Sequence, residues 1–433
     1  MKLRAWLIAS TAASVMACSS GGQGAPTDPG QGGTGGGSGG GGGGTGDTGG
    51  GGAGPTHVWP EPSLKIPGAT KPAVVVSQSG TVLLAYTKDQ KLWLQRDPVN
   101  GGAPEVLEDQ AGDGMNVRGA ADPSSGQALF LDANLRGWRI DGATTSPGAY
   151  LIDSWWSTTS MSASWPGAQP VVVMRSNHDN TEYWVHAWQP PPAGSAALPA
   201  PDVSNLIGTE MYAAQLYDEA PSFLALSADS GLVFFSQPAY TTDDPWGRYA
   251  RWTKVQRDPS RPAGEGAYFL PGDSGTFELP VPPKKNASWV AIHPTEAGNA
   301  VLTWHMVPEC ACAVNDVFIA NVTIGSDGVP ALQGTGVNVS GTSGQTDESD
   351  FPVVRPAGGG KLWVAWRESA FGPRAALYDA TLQREWVGAP STESNCDVTQ
   401  PLSAVVDASG ALWLAAVMRP QHGDPEVWLW VVK

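Results

Sequence analysis

Residues Pro72–Thr87 read PAVVVSQSGTVLLAYT: an apolar run, a short polar turn around Gly80, then a second apolar run. Two Val/Leu-rich runs of strand length, separated by turn residues, read as a β-hairpin. The same unit returns as GAADPSSGQALFLD from Gly119, MSASWPGAQPVVVM from Met161 and PSFLALSADSGLVFFS from Pro221. It recurs as SWVAIHPTEAGNAVLTW from Ser288, FPVVRPAGGGKLWVAW from Phe351 and PLSAVVDASGALWLAAV from Pro401. Seven copies about 42 to 67 residues apart fall in the range of propeller blades carrying loop insertions.

A third alternating strand follows most hairpins, as in KLWLQRDP from Lys91, RGWRID from Arg136, EYWVHAW from Glu182, RYARWTKVQRDP from Arg248 and EVWLWVV from Glu426. Weaker fourth strands follow in several units: PEVLED, GAYLID, TFELPVP and REWVGAP. Four antiparallel strands per unit, repeated seven times, describe an all-β β-propeller of seven four-stranded blades. A split pair of β-sandwiches is the rival arrangement. The seventh copy reaches Lys433 directly after its third strand, while PSLKIPGA at Pro62–Ala69 has no hairpin of its own. The N-terminal segment is therefore expected to close the last blade and remove an exposed sheet edge.

The chain ahead of this domain has a different character. Lys2 and Arg4 precede a mostly apolar stretch, Ala5–Ala17, too short to span a bilayer as a helix, so residues 1–17 read as a secretory signal. From Gly21 to Gly54, 21 of 34 residues are Gly. Such a tract buries too little apolar area to offset chain entropy, so residues 18–56 are expected to form a disordered linker. Residues 57–433 then make up the propeller domain. Charged residues are 15% of the chain and the net charge is −16, which argues against nucleic acid as a partner, because phosphate backbones demand clustered Lys and Arg.

Val15-Met16-Ala17-Cys18 resembles the bacterial lipobox. The resemblance implies cleavage before Cys18, lipid attachment at that cysteine and membrane anchoring through it. Ser19 at the next position implies the outer membrane of a bacterial cell envelope. Lipobox, glycine tether and divergent propeller repeats together resemble exported lipoproteins of myxobacterial type. Ser227-Ala228-Asp229-Ser230-Gly231-Leu232-Val233-Phe234 resembles the Asp-box of sialidase-type propellers, a structural turn. Here it falls between first and second strands, where a hairpin with Gly supplying a positive φ accounts for it. No arginine cluster of the sialidase kind stands out, so no catalytic residue is assigned.

Nineteen Trp residues stand out. Those on third strands, such as Trp93, Trp138, Trp252 and Trp428, read as filling between blades. Trp155, Trp156, Trp165 and Trp246 lie in or near loops and are the candidates for stacking on a sugar. Cys310, Cys312 and Cys396 are the thiols beyond Cys18; export favours a disulfide from one of the first two to Cys396. His305 with Cys310 and Cys312 lacks a fourth ligand, so no metal is expected, and no cofactor either. The acidic clusters at Glu108–Gly114 and Thr346–Asp350 read as solvated loop charge. The expected role is a non-enzymatic, membrane-anchored propeller that binds a glycan or an envelope protein. The alternatives are a glycoside hydrolase or lyase with a central pocket, and a scaffold subunit of an envelope complex.

Overall fold

Each of the seven hairpin units forms an antiparallel strand pair. In the first, Ala69–Val76 runs against Val82–Lys88, and Lys91–Arg96 and Pro104–Glu108 add the third and fourth strands. The computed structural model describes residues 56–433 except 112–116, 123, 133–135, 147–148, 151–156, 168, 179–181, 191–207, 212–220, 238–248, 261–266, 282–284, 296–298, 309–314, 342–348, 369–371, 391–394, 397–399 and 421–422.

The inner strands of blades 2 to 7 are Arg118–Ala121, Ser157–Ser164, Ser222–Ser227, Lys285–Pro294, Ser349–Gly358 and Ser403–Val406. Each pairs with the strand that follows it in the quoted hairpin. The domain is an all-β propeller of seven blades.

What makes the strands so uniformly apolar is burial on both faces. Along the first inner strand, Ala73 and Val75 pack with Ala128, Phe130 and Trp138 of blade 2. Val74, one residue out of phase, packs with Ala415, Val417 and Leu429 of blade 7. Successive side chains of a strand point to opposite faces, so each blade shares a core with both neighbours. The same holds around the ring: seven buried clusters lie one between each pair of adjacent blades. Two stacked sandwiches would leave outer faces to solvent, so this pattern excludes them.

Leu64–Pro67 pairs antiparallel with Glu426–Val432 and completes blade 7. The closing strand read from Pro62–Ala69 is therefore where the sequence placed it. Three details differ from expectation. Thr56, assigned to the linker, already belongs to a strand, Thr56–Val58, that adds in parallel to the outer strand of blade 6 (Arg384–Ala389). Blade 3 takes Gly208–Met211 as its fourth strand, a segment whose GTEM sequence carries no apolar run. The outer strand of blade 4, Ala267–Glu278, is long enough to reach back and pair with Trp188 and Gln189 of blade 3. The Asp-box-like turn also owes its glycine to a different cause. Gly231 has no positive φ; a Cβ there would lie 2.3 Å from the Phe223 ring.

Candidate functional site

The inner strand of each blade is a sheet edge, with backbone groups that its own blade cannot pair. Side chains of adjoining blades satisfy several of them. Arg118 Nε donates to the Met161 carbonyl at 3.0 Å, and Ser162 Oγ donates to the Pro221 carbonyl at 2.5 Å. Ser222 Oγ accepts from Ile292 N–H at 2.8 Å, and Arg355 Nε donates to the Ala404 carbonyl at 2.8 Å. Ser403 Oγ accepts from Val74 N–H at 2.9 Å and ties blade 7 to blade 1. Polar residues on these strands are thus explained first as stitching between blades.

Together the inner strands enclose a central channel of about 350 Å³. Its charged and titratable lining residues are Arg118, His293 and Arg355, and no Asp or Glu is among the described lining residues. Burial, then the nearby charge of Arg355, hold the His293 imidazole down to about 3, so it is neutral at physiological pH. Its Nε2 lies 3.3 Å from Thr303 Oγ1. Burial also lowers Arg355 to about 10, which still leaves it charged at neutral pH.

Aromatic residues form part of the wall. Three inner strands carry a bulge near their start, and in each a non-glycine residue is left-handed: Lys71 at φ 54°, Trp289 at φ 55° and Phe351 at φ 51°. Bulky residues rarely adopt this conformation, which costs on the order of 1–2 kcal/mol. The bulges bring Trp289, which lines the channel, edge-on to Phe351 with ring centroids 4.6 Å apart.

Behind Phe351 lies a buried polar layer between blades 5 and 6. Asp350 and Arg367 form an ion pair with side chains 7% and 3% exposed. The Arg367 guanidinium stands 4.7 Å from the Phe351 ring centroid. His305 sits 6.4 Å from the same ring, its pKa lowered to about 3 by burial and by Arg367's charge. Removing one partner of a buried pair strands the other charge and typically costs about 3–5 kcal/mol. Asp350→Ala is therefore expected to lower the urea midpoint strongly, and Asp350→Leu combined with Arg367→Met to recover most of the loss. A single variant indistinguishable from wild type in urea melts would show that the pair contributes nothing.

The sequence-derived candidates fare unevenly. Trp165 is 6% exposed and packs with Leu131, Met161 and Trp188 between blades 2 and 3, with the Arg139 guanidinium 5.6 Å from its ring. Its ring leaves no face for a sugar. Trp155, Trp156, Trp246, Cys18, Cys310 and Cys312 lie outside the described residues. Cys396 forms with Asn395 a two-residue strand against Met418 and Arg419 of blade 7. Trp138, Trp252 and Trp428 are buried between blades, as read from their third-strand positions. In the acidic clusters, Glu108 pairs with Arg136, Asp109 with Lys91 at 2.9 Å, and Asp350 with Arg367. Arg118, His293 and Arg355 were not singled out. The available signal was a lone arginine inside the otherwise apolar run FPVVRPAG.

No protein-family model matches the chain, and no curated protein matches it. Among solved structures, the Myceliophteria thermophila Cps50 (Swd1) β-propeller domain is similar with a TM-score of 0.45 and 11% identity, over 86% of this chain and 100% of that one. A Penicillium chrysogenum α-L-arabinanase complexed with arabinobiose is similar with a TM-score of 0.43 and 12% identity, over 87% and 97%. Likenesses this distant say nothing of this chain's ligand.

Proposed function

We propose that this chain is an exported, non-enzymatic binding protein, anchored to the bacterial envelope through lipid on Cys18, whose propeller takes up a glycan or a protein partner. The observation that supports a binding role is the channel lining, where Arg355 stands with the Phe223 and Trp289 rings, the mix of polar and aromatic groups usual in a binding site. The glycine-rich composition after Cys18 supports a tethered arrangement.

The reading is tested with the full chain. Fatty-acid labelling of cells is expected to mark the wild-type protein and not Cys18→Ala. A glycan array and an envelope pull-down with the same protein are expected to return a defined ligand that is recovered chemically unchanged. Two empty screens, or a glycan cut during incubation, would overturn it.

A further inference from the structure

A charged side chain drawn partly out of water is stabilised by a counter-charge beside it. Arg96 has Glu105, Arg367 has Asp350 and Arg374 has Glu368. Arg355, half-buried on the inner strand of blade 6, is held otherwise. Its Nε donates to the Ala404 carbonyl and its Nη1 to the Val354 carbonyl, both at 2.8 Å. Among the described residues no carboxylate pairs with it. Carbonyl oxygens satisfy two of its five N–H groups but do not neutralise its charge.

The missing negative charge has room to enter from outside the chain. Arg355 lines the 350 Å³ channel, and Arg118, three blades round the ring, lines it too. That volume suits a sugar-sized ligand. A protein with a net charge of −16 has thus placed two arginines and no described carboxylate along its axis. Stitching alone does not call for arginine, since Ser162, Ser222 and Ser403 do that work elsewhere on the ring.

We propose that the central channel is a binding site for a small oxyanion, the carboxylate or phosphate group of a sugar-sized ligand, seated on Arg355. The inference deepens the binding role proposed above by naming the charge of the ligand. The remaining guanidinium donors form a planar fork matched to the two oxygens of a carboxylate or phosphate.

The experiment is a thermal-melt titration of the full chain with D-glucuronate, inorganic phosphate and, as the neutral control, D-glucose. A ligand bound only by the folded state raises the melting temperature with its concentration. Glucuronate or phosphate at millimolar concentration is expected to raise it and glucose to leave it unchanged; which anion acts more strongly identifies the carboxylate or phosphate source. Arg355→Met is expected to weaken the anion effect at least tenfold, and Arg355→Lys to restore part of it, while the ligand-free melt shows each variant folded. Should Arg355→Met fail to fold, the wild-type comparison of anion with glucose still decides. Equal shifts with glucose, no shift with either anion, or an undiminished shift in a folded Arg355→Met protein would overturn the site. An anion shift beside an empty glycan array and pull-down would keep the site and sink the partner reading; a flat titration beside a positive array would do the reverse.

Discussion

A chain that begins at Ala69 is expected to lose at least about 5 kcal/mol of stability, because it takes the closing strand and Trp59 away together. Leu64–Pro67 supplies the outer strand of blade 7, with Ile66 9% exposed against the core shared by blades 7 and 1. Lys65 Nζ lies 4.0 Å from the Trp428 ring centroid. Trp59, 2% exposed, packs edge-on to Trp430 at 5.9 Å in the core between blades 6 and 7. Losing a buried Trp typically costs about 3–5 kcal/mol and losing a buried Ile about 2–5. The sum rivals the whole stability of an ordinary domain, about 5–15 kcal/mol. The edge of Glu426–Val432 would also be bared for pairing with other chains. Urea and thermal melts are expected to show a chain already unfolded or aggregating near room temperature. A second deletion, of residues 19–53 alone, is expected to melt like the full chain. If the Ala69 chain melted within a few degrees of it, ring closure through this strand would not be what holds the propeller together.

Acid is expected to act nearly as strongly, through the buried imidazoles of His186 and His305 and the half-buried one of His293. Burial lowers His186 to about 4, and burial together with neighbouring arginine charge lowers His293 and His305 to about 3. In the unfolded chain each binds a proton near pH 6.5. Between that value and the folded ones, the unfolded state holds more protons, so acid favours it. Stability is thus full above about pH 6.5 and falls as the pH drops. Three protons correspond to a slope approaching about 4 kcal/mol per pH unit near pH 5. Urea midpoints at neutral pH and near pH 5 measure this directly. A midpoint unchanged between the two would mean that these rings protonate in place. His305→Gln is expected to flatten the slope by about one proton, since Gln does not titrate.

How much of this was legible beforehand varies with the range of the interactions. Strand positions were readable because they rest on local pattern: Val and Leu runs, Gly-centred turns and Trp on third strands. Pro62–Ala69 could be assigned to the last blade because a missing fourth strand and a spare one are both visible in a linear chain. The channel was not readable. Arg118 and Arg355 lie 237 positions apart, and the lone arginine in FPVVRPAG does not by itself say which way its side chain faces. Trp165 looked like a loop residue free to stack on a ligand, but the Arg139 and Trp188 side chains close over it. Gly231 looked like a turn glycine needed for its φ, whereas the nearby Phe223 ring is what forbids a side chain there.

By itself the sequence determined that this is a wheel of seven hairpin-based blades and that the segment after the glycine tract fastens it. Period-two patterning and turn chemistry act over a few residues, so they are written into each repeat separately. Only the tertiary structure decided what the wheel surrounds. Closure brings inner strands from the whole length of the chain to one axis. Whether an arginine there meets a carboxylate or an open channel depends on neighbours that sequence distance does not reveal.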